Sequence, residues 1–260
     1  MPLLRPCNNR RPAEARPAAS DAPLASSGDP DAFEPRSDGR RAVHGRSKGK
    51  TLRANQTRLV AELLPRLTVD LAALAAGAPL FEFRPREIWL EIGFGGGEHL
   101  VARARENPDV GFIGCEPFVN GVAKLLAAIE EQGLANVRIR AGDARTLIEA
   151  APAANLSRVF ILYPDPWPKR RQHKRRLIDA ETIAELARVA RPGAQLRFAT
   201  DIDDYAGWTL SRFLASPDFS WTARRADDWR KPWEGWRPTR YEAKARAAGR
   251  SSAYLTFLRR

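Results

Sequence analysis

Residues 158–176 read RVFILYPDPWPKRRQHKRR. The apolar run Val159, Phe160, Ile161, Leu162 and Tyr163 stops at Pro164-Asp165-Pro166-Trp167-Pro168, and six Lys/Arg then fall within the eight residues 169–176. Each proline fixes φ and removes a backbone donor, so the loop is stiff and continues neither strand nor helix. One carboxylate beside an aromatic ring suits the gripping of a flat base, and the cations after it suit phosphates. A second cluster is Leu90-Glu91-Ile92-Gly93-Phe94-Gly95-Gly96-Gly97, whose glycines let the backbone approach a ligand and reach positive φ. Glu116 lies 23 residues past Gly93, where a carboxylate accepts ribose hydroxyls. Asp143, in Ala141-Gly142-Asp143-Ala144, is placed to meet a purine edge.

These residues need a frame that brings them to one edge. From residue 86 the pattern alternates: strands at 88–92, 111–116, 137–141, 158–163 and 194–200, each followed by a helix, at 98–106, 119–132, 145–150, 175–190 and 204–214. Five such units predict an α/β fold with a mostly parallel sheet and helices on both faces. Segments 219–223 and 252–258 follow with no full helix between them and read as a closing antiparallel pair. Gly193, after Arg191-Pro192, reads as a helix-ending turn before the fifth strand. In such open sheets ligands bind at the carboxyl ends of the strands, where Gly93, Glu116, Asp143, Asp165 and Asp201 all fall.

The G-x-G-x-x-G dinucleotide fingerprint fails, because the sixth position is Glu98 counted from Gly93 and Leu100 counted from Gly95. A ligand without a pyrophosphate fits better, and S-adenosylmethionine is one. Lys+Arg 43 against Asp+Glu 31 gives +12, which favours a polyanionic partner. No stretch of eighteen apolar residues is present to cross a membrane, and the N-terminus shows no secretory h-region. Cys7 and Cys115 make no disulfide framework, which argues for a reducing, cytoplasmic setting. His99 and His173 have no partner at metal-ligand spacing, so no metal is expected. Residues 1–45, rich in Pro, Ala and Arg, read as a disordered basic tail, and 46–260 as the catalytic domain, with a first amphipathic helix near 54–65.

The motifs EIGFGGG at 91–97, GCEPFVNGV at 114–122, GDA at 142–144, PDPWPK at 164–169, ATD at 199–201 and RPTRYE at 237–242 resemble those of the bacterial tRNA (guanine-N7-)-methyltransferases, from about residue 46 to the C-terminus. PDPWPK followed by the Arg/Lys block, with the late TRYE, is specific to that family, whereas the EIGFG turn is shared by many methyltransferases. The sequence departs from the commoner pattern at Phe118, Cys115, His173 and the TRYE itself.

The resemblance implies a Rossmann-like class I methyltransferase fold with a seven-stranded sheet and transfer of a methyl group to the variable-loop guanine at position 46 of tRNA. It places Glu91, Glu116, Asp143 and Asp165 on S-adenosylmethionine, with Gly93 and Gly95 in the cofactor turn. Lys169, Asp201, Thr239, Arg240, Tyr241 and Glu242 then hold substrate, and Arg171, Gln172, His173, Lys174, Arg175 and Arg176 contact RNA.

The chemistry agrees with these residues. Guanine N7 carries an in-plane lone pair, so no base need deprotonate it, and alignment of N7, methyl and sulfur is what accelerates transfer. Asp165, as the catalytic group, stabilises positive charge appearing on the purine, and Trp167 walls the base. Reaching the Hoogsteen edge favours a locally opened base. Two other classes stay open on the residues alone: a methyltransferase for rRNA or another base position, and a cofactor-free RNA-binding module. Monomer and homodimer are equally compatible with the sequence.

Overall fold

The computed structural model describes residues 49–260, so the tail expected at 1–45 lies outside the described residues. Seven strands form one sheet: β1 (Glu87–Ile92), β2 (Val110–Cys115), β3 (Val137–Arg140), β4 (Leu156–Leu162), β5 (Ala190–Thr200), β6 (Phe219–Trp221) and β7 (Ala253–Arg259). Their spatial order is β3-β2-β1-β4-β5-β7-β6. Neighbours from β3 to β5 pair in parallel, and β7 is antiparallel to both β5 and β6. This is the Rossmann-like class I methyltransferase architecture, and its strand order reverses between β1 and β4. β2 is buried at every residue and β4 at all but one, as expected for parallel strands covered on both faces.

The helices are α1 (Ala54–Glu62), α2 (Leu64–Leu67), α3 (Leu71–Ala75), α4 (Glu98–Glu106), α5 (Val119–Gln132), α6 (Ala144–Ala150), α7 (Ala180–Val189), α8 (Asp203–Ala215), α9 (Asp227–Arg230) and α10 (Arg240–Ala247). On one face Leu90, Ile92, Val159, Ile161 and Phe198 meet Leu147, Ile183, Leu186 and Phe213. On the other, Trp89, Phe112 and Phe160 meet Leu59, Leu100, Leu125 and Ile129. Strand alternation thus builds two cores from one sheet. In α5, Val122, Leu125, Leu126 and Ile129 follow helical spacing toward the core, and Gly133 at φ +62° ends the helix.

Three local expectations are corrected. The helix expected over 175–190 is a 3₁₀ turn at Arg170–Arg175 followed by α7, because Asp179 caps α7 by accepting from the Thr182 N–H at 2.8 Å. The stretch between β6 and β7 does hold helix: α10 starts where the Thr239 hydroxyl accepts from the Glu242 N–H at 3.1 Å. Gly193, at φ +79°, does not end a helix; α7 stops at Val189, and Gly193 lies inside β5 where the β4–β5 register is irregular.

Candidate active site

At the β1–β4 reversal a cavity of about 490 Å³ opens over the carboxyl ends of the central strands, a size suited to a small-molecule ligand. Its floor is the turn after β1. Gly93 sits at φ +74°, and a Cβ there would meet nothing within 4 Å, so the backbone faces open space. Gly95, at φ +59°, lies against Gly121 of α5, where an added Cβ would come within 2.1 Å of the Gly95 carbonyl oxygen. Glycine at 121 is therefore what lets the turn and α5 meet.

Glu116, at the end of β2, is buried and held by two backbone donors: Gly95 N–H at 2.7 Å and Phe118 N–H at 3.0 Å. Burial raises its pKa, and those two bonds oppose the rise. Asp143 caps α6 through the Arg145 N–H and pairs with the Arg145 guanidinium at 2.8 Å. Both carboxylates line the cavity.

The facing wall comes from the loop after β4 and from α10. Asp165 is exposed at the mouth of the cavity, and the protein packed around it still removes enough water to raise its carboxyl above the usual carboxylate range. Among the described residues its side chain has no hydrogen-bond partner. Tyr163 and Trp167, at φ +51° and +44°, are non-glycine residues in the left-handed region on either side of it. The rings of Tyr163 and Tyr241 stack with centroids 6.4 Å apart, and Arg175 lies 5.0 Å from the Trp167 ring centroid. Arg240 donates to the Tyr241 hydroxyl at 3.2 Å. Gly93, Gly95, Glu116, Asp143, Asp165, Arg175, Arg240 and Tyr241 thus share one cavity.

Other expected site residues stand apart from the cavity lining. Glu91 is buried beneath the glycine turn, its carboxylate 2.7 Å from Nδ1 of buried His99. Lys169 is exposed at the start of the 3₁₀ turn. Asp201 accepts from Arg250 at 2.7 Å. Thr239 is consumed by the α10 cap. Glu242 is buried, accepting from the Trp236 indole at 2.8 Å and the Tyr254 hydroxyl at 2.9 Å and pairing with Arg246.

Within the basic block the side chains diverge. Arg171, Lys174 and Arg175 are exposed, and Gln172 is partly so. His173 turns toward α8, 3.6 Å from Asp204 and edge-on to Trp208. Arg176 is corrected as an RNA contact: its side chain is fully buried, donating to the Pro166 carbonyl at 2.9 Å, pairing with Asp204 and stacking over Tyr205 and Trp208.

Phe118, noted in the sequence only as a departure from the commoner pattern, also lines the cavity, and so does Lys244, which the sequence reading does not single out. The signal for Lys244 is its position four residues after Arg240, one turn along the same helical face, which the missed helix concealed. That signal was legible, since Thr-x-x-Glu is a helix-start pattern. Only half of it forms here: Thr239 caps, while Glu242 turns to Trp236 and Tyr254. Trp233 and Trp236 pack edge-on to each other and to Tyr254. None of the helices among the described residues is long and apolar enough to cross a membrane.

Residues 85–255 match a family model described as "Putative methyltransferase". A tRNA (guanine-N(7)-)-methyltransferase of Rhodopseudomonas palustris strain BisA53 is 51% identical over 243 residues, covering 93% of this chain and 96% of that one. The protein of the same description from Bradyrhizobium diazoefficiens is 52% identical over 233 residues, covering 89% and 97%. One from Nitrobacter winogradskyi is 50% identical over 247 residues, covering 94% of each chain. With a methyltransferase sheet, a glycine-floored cavity at its strand reversal and this identity across nearly the full length, the chain belongs to the tRNA (guanine-N(7)-)-methyltransferase family.

Proposed function

We propose that this protein transfers a methyl group from S-adenosylmethionine to N7 of the guanine at position 46 in the variable loop of tRNA. The observation that carries this reading is the division of one cavity into two walls. One wall bears Glu116 and Asp143 on a glycine floor; the other bears Asp165, Trp167, Arg240 and Tyr241. The residues of the first wall fit a nucleoside cofactor: open space over Gly93, a buried carboxylate at the end of β2 and another after β3. When bound there, S-adenosylmethionine supplies an electrophilic methyl group on a sulfonium.

Glu116, with each oxygen already on one backbone N–H, offers its remaining lone pairs to ribose hydroxyls. Asp143 stands beside the purine edge. Glu91 acts from beneath, through the turn it supports. Asp165, without an internal partner, takes guanine N–H donors and stabilises the positive charge that N7 alkylation creates. The Tyr163–Tyr241 pair and Trp167 provide flat apolar surfaces for the base. Lys169, Arg171, Lys174 and Arg175 meet phosphates. Thr239 and Glu242 act on the substrate by fixing α10 and its approach to the pocket, Asp201 by holding Arg250 just after that helix, and Arg176 by holding the Pro166 carbonyl. No metal takes part, and the setting is the cytoplasm, where tRNA is found.

The test is nucleoside mass spectrometry of tRNA after incubation with the protein and methyl-labelled S-adenosylmethionine. Labelled 7-methylguanosine should form on tRNA carrying G46 and be absent from a transcript carrying A46. Label in another nucleoside, or in the A46 transcript at equal level, would overturn the assignment.

A further inference from the structure

The side of the sheet covered by α4 and α5 carries a second concentration of positive charge, below the cavity. Arg158 of β4 is in register with Trp89 of β1, and Arg197 of β5 is in register with Phe160 of β4, so all four residues point to this same face. Arg158 lies over Trp89, its guanidinium carbon 4.2 Å from the ring centroid, and Arg103 of α4 approaches the same ring at 5.4 Å. Arg197 lies over Trp233 at 5.1 Å. Both sheet arginines thus rest on tryptophan rings and remain partly open to solvent.

What they lack is a carboxylate at ion-pair distance. Arg103 is engaged with Glu106 at 3.0 Å and with the Gly235 carbonyl at 3.3 Å. Arg158 and Arg197 have no carboxylate within ion-pair distance among the described residues, and the Nε–H of each has no acceptor. Burial, then repulsion from Arg158 and Arg103, lowers the Arg197 pKa to about 10; Glu234 only partly offsets this. Burial lowers that of Arg158 as well; the Glu87 carboxylate opposes the shift, and Arg103 and Arg86 add to it. Stacking on tryptophan contributes some attraction, but it leaves two guanidinium groups on adjacent strands facing one another's charge. An oxyanion placed between them would satisfy both, in the geometry guanidinium favours for phosphate.

We propose that Arg158 and Arg197 form a phosphate-binding site on the α4 side of the sheet, and that a backbone phosphate of the RNA substrate occupies it. Arg158 lies five residues before Tyr163 at the cavity, roughly 16 Å along an extended strand. One RNA molecule spans that distance easily. The RNA half of the inference rests on tRNA being the substrate; the phosphate half does not.

The experiment uses the full chain and two paired variants. Arg158→Gln with Arg197→Gln keeps part of each stem but removes the charge, and Arg158→Lys with Arg197→Lys keeps the charge. Thermal unfolding is followed in inorganic phosphate and in chloride at matched ionic strength. The wild type and the lysine pair should show a phosphate-specific rise in midpoint, and the glutamine pair should lose at least half of it. In tRNA binding, the glutamine pair should flatten the slope of log K against log salt by about 1–2 units, with S-adenosylmethionine affinity unchanged. Should the glutamine pair not fold, Arg197→Gln alone is read for a loss of part of the phosphate shift and up to about one unit of slope. An unchanged phosphate shift and slope would reduce the cluster to side-chain packing. A lost phosphate shift with an unchanged slope would leave a site for free anions and overturn the RNA assignment.

Discussion

The two walls of the cavity treat their carboxylates in opposite ways. On the β1–β3 side, Glu116 is buried with two backbone donors and Asp143 is tied to its helix cap and Arg145. On the β4 side, Asp165 is held between residues of positive φ in a proline-fixed loop, with no hydrogen-bond partner among the described residues. Burial raises the pKa of both Glu116 and Asp165, but only Glu116 has backbone bonds opposing the rise. The first wall is preorganised by the backbone and ready for a ligand that always looks the same. The second keeps an acid with no protein partner, open to a group that arrives with the substrate, where a new hydrogen bond has most effect on the reaction.

If that contrast is right, the largest effect comes from the second wall. Asp165→Ala should lower single-turnover methylation by about 10²-fold or more, the scale of a preorganised electrostatic group, while tRNA binding measured by filter retention stays near normal. Near-normal turnover would reduce Asp165 to a turn residue and erase the distinction between the walls.

The basic block sharpens the contrast between exposed and spent cations. Replacing Arg171, Lys174 and Arg175 together with alanine should flatten the salt dependence of tRNA binding by up to about 2–3 units of log K per log salt. Arg176→Ala should leave that slope alone and instead destabilise the fold by about 1–3 kcal/mol, because its side chain is buried on Tyr205 and Trp208. Denaturant unfolding and salt titrations of the two variants separate these outcomes. A slope that moves with Arg176 and not with the triple variant would invert the assignment.

On the first wall, Glu116→Gln keeps the side-chain shape and one acceptor oxygen. Calorimetry should show S-adenosylmethionine binding weakened about tenfold, the cost of roughly one charge-assisted hydrogen bond, with tRNA affinity intact. Equal cofactor affinity would sink the ribose assignment.

The smallest effect is on stability. Burial sets the folded pKa of Asp165 above its unfolded value, so its stabilising contribution is full below the unfolded pKa and is lost as pH rises through the folded one. A neutral isostere escapes that loss. Asp165→Asn should therefore unfold at a slightly higher temperature than wild type at about pH 7, and the difference should close on acidification toward about pH 4. A variant less stable than wild type at neutral pH would show that the carboxylate has a compensating partner.

Much of the site was legible because parallel strands all end at one edge. Once 88–92, 111–116, 137–141 and 158–163 read as strands of βα units, Gly93, Glu116, Asp143 and Asp165 had to gather at that edge, whatever the order of the strands. The stiffness of Pro164-Asp165-Pro166-Trp167-Pro168 was equally local, since proline acts on its own φ and its immediate neighbours. The α10 helix was written locally as well, in Thr239-x-x-Glu242, but its short, polar sequence carries no strong apolar periodicity to announce it.

Tertiary structure alone decided the rest. The sequence determined that β4 carries the acid loop; only the pairing β3-β2-β1-β4-β5-β7-β6 decided that this loop faces the glycine turn. Strand adjacency is a competition among long-range pairings that no window of residues encodes. Arg175 and Arg176 are neighbours of identical type, yet one stacks on Trp167 at the cavity and the other is buried against α8, because the 3₁₀ turn ends between them. Charge density in a sequence predicts a basic surface, but which guanidinium reaches that surface depends on where the backbone turns and what packs beneath it.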